Sequence, residues 1–392
     1  MRSVIGAAAT AAIAVLPLVL LGVMAVLVRA DLGFSEAGLG SATAFFFLAS
    51  GLTSRFGGTL GSLLGPQRAV LLAGVIAGCS LAGVALVSNS WLTLCIFLLL
   101  GGVGHGIGQP ASSLVLVRLV SPERQGISFG IKQSATAVSG ILAGLAVPML
   151  AINYGWRWIF GGAAVLGVVP WLLLPKVGTA QQKPSVRKDS KVIRPWLLLF
   201  AAGWAFGTIG IAGLATFLVE GAVASGISLK SAGLILALGS AAGIITRVSG
   251  GIFADRHPDK VVYVVVAMLA AGCLSFGVLA ISDSATIFTV GTILAYSFAW
   301  GWPGILQFAV VRLVPHAPSE AIGITQTGVA LGSVVGPIGL GILIVEVSYM
   351  AAWFTAACSL AVAAGLVELG RRHLPLDNGL TARQRPQCAI SP

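Results

Sequence analysis

The chain has 392 residues, of which 57% are hydrophobic and only 9% charged, with a formal net charge of +11 at pH 7. Soluble globular domains carry roughly 25% charged residues, so this chain has too little polar surface to face water, and a soluble enzyme or binding module is excluded. The excess of Lys and Arg does not indicate nucleic acid, because these residues sit in short breaks between apolar runs rather than in one patch.

Charges, Pro and Gly divide the chain into apolar segments, each near the about 20 residues a helix needs to cross the hydrocarbon core. The first follows Met1-Arg2 and runs apolar to about Val28, too long for a signal-peptide core, so it is read as a span. The expected spans are 5–29, 39–61, 69–88, 92–118, 126–150 and 157–175, then 196–221, 229–254, 261–282, 286–312, 320–344 and 351–370. The stretch from Lys176 to Arg194, rich in Lys, Gln, Ser and Pro, reads as a flexible linker. The expected organisation is therefore a six-helix bundle at 1–175, a cytoplasmic linker at 176–195, a second bundle at 196–372 and a tail at 373–392. Barrel strands alternate over about ten residues, and these runs do not. The fold class is an all-α membrane protein of twelve transmembrane helices in two pseudo-symmetric bundles. Fifty-two glycines fit it, since small residues let helix backbones approach closely in lipid.

Orientation follows from charge. With the N-terminus inside, the inner segments hold most cations, among them Arg68, Arg118, Arg124, Arg256, Lys260 and Arg312. The outer loops hold only Arg29, Arg157 and Lys230. Cytoplasmic termini follow, and a bacterial inner membrane and a monomer are the expected setting. The five cysteines form no CxxC pair, which argues against a zinc site or a disulfide framework. No P-loop, metal cluster or triad pattern is present, so ATP-driven transport and enzyme chemistry are excluded and no cofactor is expected.

The two halves repeat. Arg55 and Arg247 each precede a Gly-Gly pair, Val117-Arg118-Leu119-Val120 recurs at 311–314, Gly130-Ile131-Lys132-Gln133 recurs as Gly323-Ile324-Thr325-Gln326, and Cys79 matches Cys273. The offsets lie between 192 and 194 residues. A six-helix repeat read in one direction implies a pseudo-two-fold axis along the membrane normal, with the substrate near the midplane between the halves.

One loop motif carries a family resemblance. After the eighth span stands Gly251-Ile-Phe-Ala-Asp255-Arg256, and after the second Gly58-Thr-Leu-Gly-Ser62, with Arg68 beyond. The pattern resembles the G-x-L-A-D-R-x-G-R-K loop of the major facilitator superfamily, over essentially the whole chain. The resemblance implies secondary transport by alternating access and a conformational role for Gly58, Ser62, Arg68, Gly251, Asp255, Arg256, Gly336 and Pro337. Ser62 replaces the family's acid in the first half. Gly328, Gly332, Gly336-Pro337, Gly339 and Gly341 are similar to the family's glycine-rich span 11, with Gly140, Gly144 and Pro148 as a weaker counterpart in span 5.

Sorting ionisable residues by depth points to the cargo. No Asp or Glu stands at the centre of a span, whereas Arg55, Lys132 and Arg247 lie inside apolar runs and His105 lies mid-span. A charge at the bilayer centre costs about 2.5–3.5 kcal/mol on insertion scales. Buried cations without buried acids call for an anionic substrate. Arg247 precedes Asp255 by eight residues, roughly 12 Å along a helix, a few ångströms short of the midplane. Its planar fork suits oxyanions. An Arg in both the second and eighth spans is similar to the nitrate/nitrite porters of the superfamily, and the eighth-span Arg also resembles that of monocarboxylate carriers.

The expected substrate-binding residues are Arg55, Arg247, Lys132, His105, Gln133, Gln326 and Gln109. Against this stand snorkelling for the cations, helix packing for His105 and interhelical hydrogen bonding for the glutamines. Trp300 and Trp302 are read as packing or interface residues. A proton or a counter-anion is the candidate coupling partner. Efflux of hydrophobic or drug-like compounds is the alternative function, and the absence of buried acids weighs against cationic cargo.

Overall fold

The computed structural model describes residues 2–63, 65–120, 125–168, 194–314 and 317–374. Among them the regular structure is entirely helical, and eleven helices are long and apolar enough to cross a membrane. The first half comprises α1 (Arg2–Leu32), α2 (Glu36–Leu63), α3 (Pro66–Val87), α4 (Trp91–Leu119), α5 (Gln125–Ala146) and α6 (Trp156–Ala164). α5 continues through a π turn at Val147–Ala151 to Tyr154, and the chain reverses at Gly155, whose φ of 87° suits glycine. The sixth expected span is α6 with a short 3-10 turn at Val165–Val168; its remainder lies outside the described residues. So do the linker as far as residue 193 and the tail from residue 375.

The second half holds α7 (Pro195–Ala224), α8 (Leu229–Arg256), α9 (Val261–Ala280), α10 (Ala285–Leu294), α11 (Pro303–Leu313), α12 (Pro318–Glu346) and α13 (Tyr349–Arg372). The expected span at 286–312 is present as one membrane-crossing stretch, Ala285–Leu313, with an interruption in its helix. α10 ends in a π turn at Ala295–Ala299, the chain turns at Trp300–Trp302, and α11 starts on Pro303. Proline has no N–H and cannot continue the ladder; two glycines and two tryptophans around it hid the break inside an apolar run.

Helix starts differ between the two ends of the molecule. At the end where α1 begins, α3, α7 and α12 open on Pro66, Pro195 and Pro318, which lack only an N–H that would be orphaned there anyway. At the far end α4, α8, α10 and α13 open on Ser90, Ser228, Ser284 and Ser348, each accepting a first-turn backbone N–H.

Within the first half α4 packs on α1, α2 and α3; within the second α7 packs on α12 and α13, and α9 on α13. The halves meet along three seams, α5 on α8, α2 on α12 and α1 on α7. These are backbone contacts. A Cβ added to Gly144 would lie 2.5 Å from the Gly233 carbonyl oxygen, and one on Gly233 would lie 2.6 Å from that of Gly144. A Cβ on Gly130 would meet the Arg247 carbonyl oxygen at 2.7 Å. Gly40 faces the Pro337 carbonyl across the second seam, Gly336 packs with no room for a side chain on the Ile209 backbone, and Gly22 faces Ala215 across the third. Lipid supplies no hydrophobic drive for helix association, so close backbone approach supplies dispersion instead. Leu52, Ile245, Leu274 and Phe354 meanwhile stay exposed on the outside, as side chains facing lipid do.

At the far end Arg29 ties the halves together. Its Nη1 lies 2.7 Å from Glu220 Oε1 on α7, its Nη2 lies 2.9 Å from Glu36 Oε2 on α2, and its Nε donates to the Phe34 carbonyl at 3.0 Å. Glu220 is only 3% exposed. Asp31, two residues on, pairs with Arg157 inside the first half.

Candidate substrate site

A small cavity of about 20 Å³ lies where the halves face each other. α5 contributes Thr136, Ala137 and Gly140; α8 contributes Leu236, Ser240 and Arg247; α1 and α7 add Val19, Val23 and Ala215; and the π-turn region adds Tyr296 and Trp300. Just below, a second cleft lies between α5, α8 and α11, lined by Gln133, Arg247, Gly251, Gly304 and Phe308 among others. Arg247 is the residue common to both. The lining follows helix periodicity: 133, 137 and 140 on α5, and 236, 240, 247, 251 and 254 on α8, recur at intervals of three, four or seven residues on one face.

Arg247 is 3% exposed. Its Nε donates to the Trp300 carbonyl at 3.1 Å, and its guanidinium sits 5.5 Å from the Trp300 ring centroid. That carbonyl stands where α10 has ended and α11 has not begun, so the arginine satisfies a group outside both helical ladders. Nη1 is buried and has no hydrogen-bond partner. A buried guanidinium N–H without an acceptor is costly, and among the described residues no Asp or Glu lines either cavity. Among the described residues the site offers one positive charge, a donor edge, three aromatic rings and three hydroxyls.

Lys132 and His105 belong to a separate polar cluster. Lys132, also 3% exposed, donates from Nζ to the Gln109 carbonyl at 3.1 Å and to Ser113 Oγ at 2.6 Å, bridging α5 to α4. Gln109 thus contributes its main chain. His105 Nδ1 lies 2.7 Å from Ser50 Oγ on α2, and its ring packs on Phe46 and Phe47. Residues 105, 109 and 113 run at four-residue spacing down α4. Lys132 lies within Coulombic reach of His105. Gln133 joins Arg247 in the lower cleft, whereas Gln326 is exposed on α12. Arg55 lies on α2, as do Gly58 and Ser62, and the side chains of Arg55 and Ser62 are outside the described set.

Of the loop-motif residues, Asp255 Oδ2 accepts the Ile127 backbone N–H at 2.9 Å. The carboxylate at the end of α8 therefore caps the first turn of α5 in the other half, where the helix dipole favours negative charge. Gly251 lines the lower cleft, while Arg256 and Arg68 are exposed. Gly336 and Pro337 pack on α7 and α2.

Sequence reasoning missed Trp300, Tyr296, Ser240 and Thr136 as lining. Trp302 is packing as expected, fully buried 4.5 Å from Trp204, but Trp300 lines the cavity. The available signal was spacing: Tyr296 and Trp300 stand four apart, and Ser240 and Arg247 seven apart.

The model of the Major Facilitator Superfamily matches residues 4–337 and 223–389. Among curated proteins, an uncharacterised transporter of Mycobacterium tuberculosis is 24% identical over 335 residues, covering 82% of this chain and 73% of its own. The probable sulfoacetate transporter SauU of Cupriavidus necator is 24% identical over 364 residues, covering 83% of this chain and 82% of its own. Among solved structures, the proton:xylose symporter XylE superposes with a TM-score of 0.77 at 14% identity, covering 96% of both chains. The match to the family model runs through both halves, and the helical architecture agrees with it: this chain belongs to the Major Facilitator Superfamily and is a membrane transporter of a small molecule, not an enzyme.

Proposed function

We propose that this transporter moves a small anion by alternating access, with Arg247 as the anchoring charge. The observation that carries this reading is the Arg247 guanidinium: 3% exposed, with Nη1 unpartnered, at a cavity between the halves that is lined by no carboxylate among the described residues. An isolated buried charge is expensive, and an anionic ligand offsets that cost when it occupies the cavity. Lys132 supplies a second buried cation, but its ammonium is engaged by Gln109 and Ser113, so its part is to fix α5 against α4 beside the path. A relative named for an anion, the probable sulfoacetate transporter, supports the same class of cargo.

Counterflow of radiolabelled organic anions in proteoliposomes tests this reading. Arg247→Lys keeps the charge but loses the fork, and is expected to raise the half-saturating concentration at least about tenfold, equivalent to about 1.4 kcal/mol. Arg247→Ala is expected to abolish counterflow while the protein remains monodisperse in detergent. Full transport by Arg247→Ala at unchanged apparent affinity would falsify the anchor role.

A further inference from the structure

We infer that Glu220 is a proton-binding site, and that the far end of the molecule closes by taking a proton from the water on that side onto Glu220 Oε2. None of the groups that build this site lines either cavity, so it stands apart from the role proposed for Arg247.

Two carboxylates share one cation there. Arg29 Nη1 holds Glu220 Oε1 at 2.7 Å, Nη2 holds Glu36 Oε2 at 2.9 Å, and Nε is committed to the Phe34 carbonyl. Both Nη atoms belong to one planar group with a single positive charge. The neighbouring groups do not restore the balance. On α13, Tyr349 lies within Coulombic reach of both acids and brings a phenol. Asp31 and Arg157 satisfy each other within the first half. Lys230 at the start of α8, Asp283 before α10 and Glu346 at the end of α12 are exposed. All of these residues are described with their side chains, as are the turns at 33–35, 225–228, 281–284 and 347–348.

Burial decides which acid takes the proton. The side chains of Arg29 and Glu36 are 21% and 25% exposed, whereas that of Glu220 is 3% exposed. Glu220 Oε2 is buried and accepts no hydrogen bond. A carboxylate oxygen in that position has lost water and gained no donor, and an uncharged hydroxyl is far cheaper to bury than a charged oxygen. With the proton on Oε2 the cluster of Arg29, Glu36 and Glu220 is neutral. Oε1 still accepts from Arg29 Nη1, so the bond from α1 to α7 survives.

Parting α1 from α7 brings Glu220 into water, where a hydrated glutamate is ionised at neutral pH. The closed far end therefore binds the proton more tightly than the open one, and by reciprocity acid on the far side favours closure. The proton enters and leaves on the same side, so Glu220 reads the pH of that side and does not carry a proton across.

Infrared difference spectra of the purified full-length protein, recorded between about pH 5 and about pH 8, read protonated carboxyl groups directly. A buried carboxyl band that grows on acidification is expected in the wild type and is absent from Glu220→Gln. In Glu36→Gln, which leaves Arg29 to Glu220 alone, the band persists with its midpoint at lower pH; this arm holds even if Glu220→Gln fails to fold. Closure is read in proteoliposomes by far-side labelling of Val23→Cys with an impermeant thiol reagent. The ratio of labelling rates, Glu220 over Glu220→Gln, cancels the thiol's own titration. It is expected to rise at least about fivefold from about pH 5 to about pH 8. A band lost in Glu36→Gln and kept in Glu220→Gln puts the proton on the wrong acid and overturns the inference. A flat ratio, with or without the band, uncouples the proton from closure and overturns it too. So does a ratio that falls as pH rises, because the ionised pair with Arg29 then holds the far end shut.

Discussion

Arg247 answers to two partners at once. One edge of its guanidinium completes the hydrogen bonding of a broken helix, and the opposite end has no partner in the protein. Snorkelling, the structural alternative for such a residue, would carry the charge toward water; at 3% exposure it has not done so. The buried cation was readable from sequence because Arg inside an apolar run has few innocent explanations. Its partner was not readable, because a carbonyl becomes free only where helical bonding fails, and that failure lies in Trp300–Pro303, which reads as continuous apolar sequence. Lys132 gives the contrasting case. Replacing it by Met removes the α5–α4 bridge, while the Gln109 carbonyl keeps the Ser112 and Ser113 hydroxyls as donors. This is expected to cost about 0.5–1.5 kcal/mol, read as a lower Tm, with the half-saturating anion concentration changed less than about threefold. A larger change in affinity than in Tm would place Lys132 in the site after all.

At the scale of the element, the seam between α5 and α8 rests on glycine. The carbonyls of Gly144 and Gly233 stand where each other's Cβ would go, so neither position tolerates a side chain without a backbone shift. Gly144→Leu is expected to destabilise by about 1–3 kcal/mol or more through overpacking, measured as a fall in Tm, whereas Gly162→Leu on α6, with nothing within 4 Å of a Cβ, is expected to be near neutral. Helix existence and order were legible because each segment is long, apolar and bounded by Pro, Gly or charge. The interruption of α10 was not, since π turns change the hydrogen-bond register without changing hydropathy. Gly140 and Gly144 were visible as a motif, but their opposite numbers, Ser240 and Gly233, are set by tertiary packing alone.

At the scale of the whole molecule, opening the far end requires that α1 and α7 part, and Arg29 with Glu220 is the ion pair that crosses there. Glu36 holds the same arginine from within its own half. In a background lacking native cysteines, Glu220→Ala is expected to increase labelling of a Cys placed at Val23 by an impermeant thiol reagent added to the far side. Glu36→Ala is expected to leave labelling unchanged; equal effects would show that the cluster is a local staple and not a gate. The repeat told of two matched halves, but this pair has no counterpart in it, because a contact on a pseudo-symmetry boundary need be made only once. The glycine seams have a further consequence, for how this protein can be re-engineered. The halves bear on each other largely through main chain, whereas the proposed substrate site is lined largely by side chains. Motion and choice of cargo are thus written in different atoms. A library randomised at 136 and 236 should return folded carriers with new preferences, while one randomised at 130, 144 and 233 should return few that fold at all.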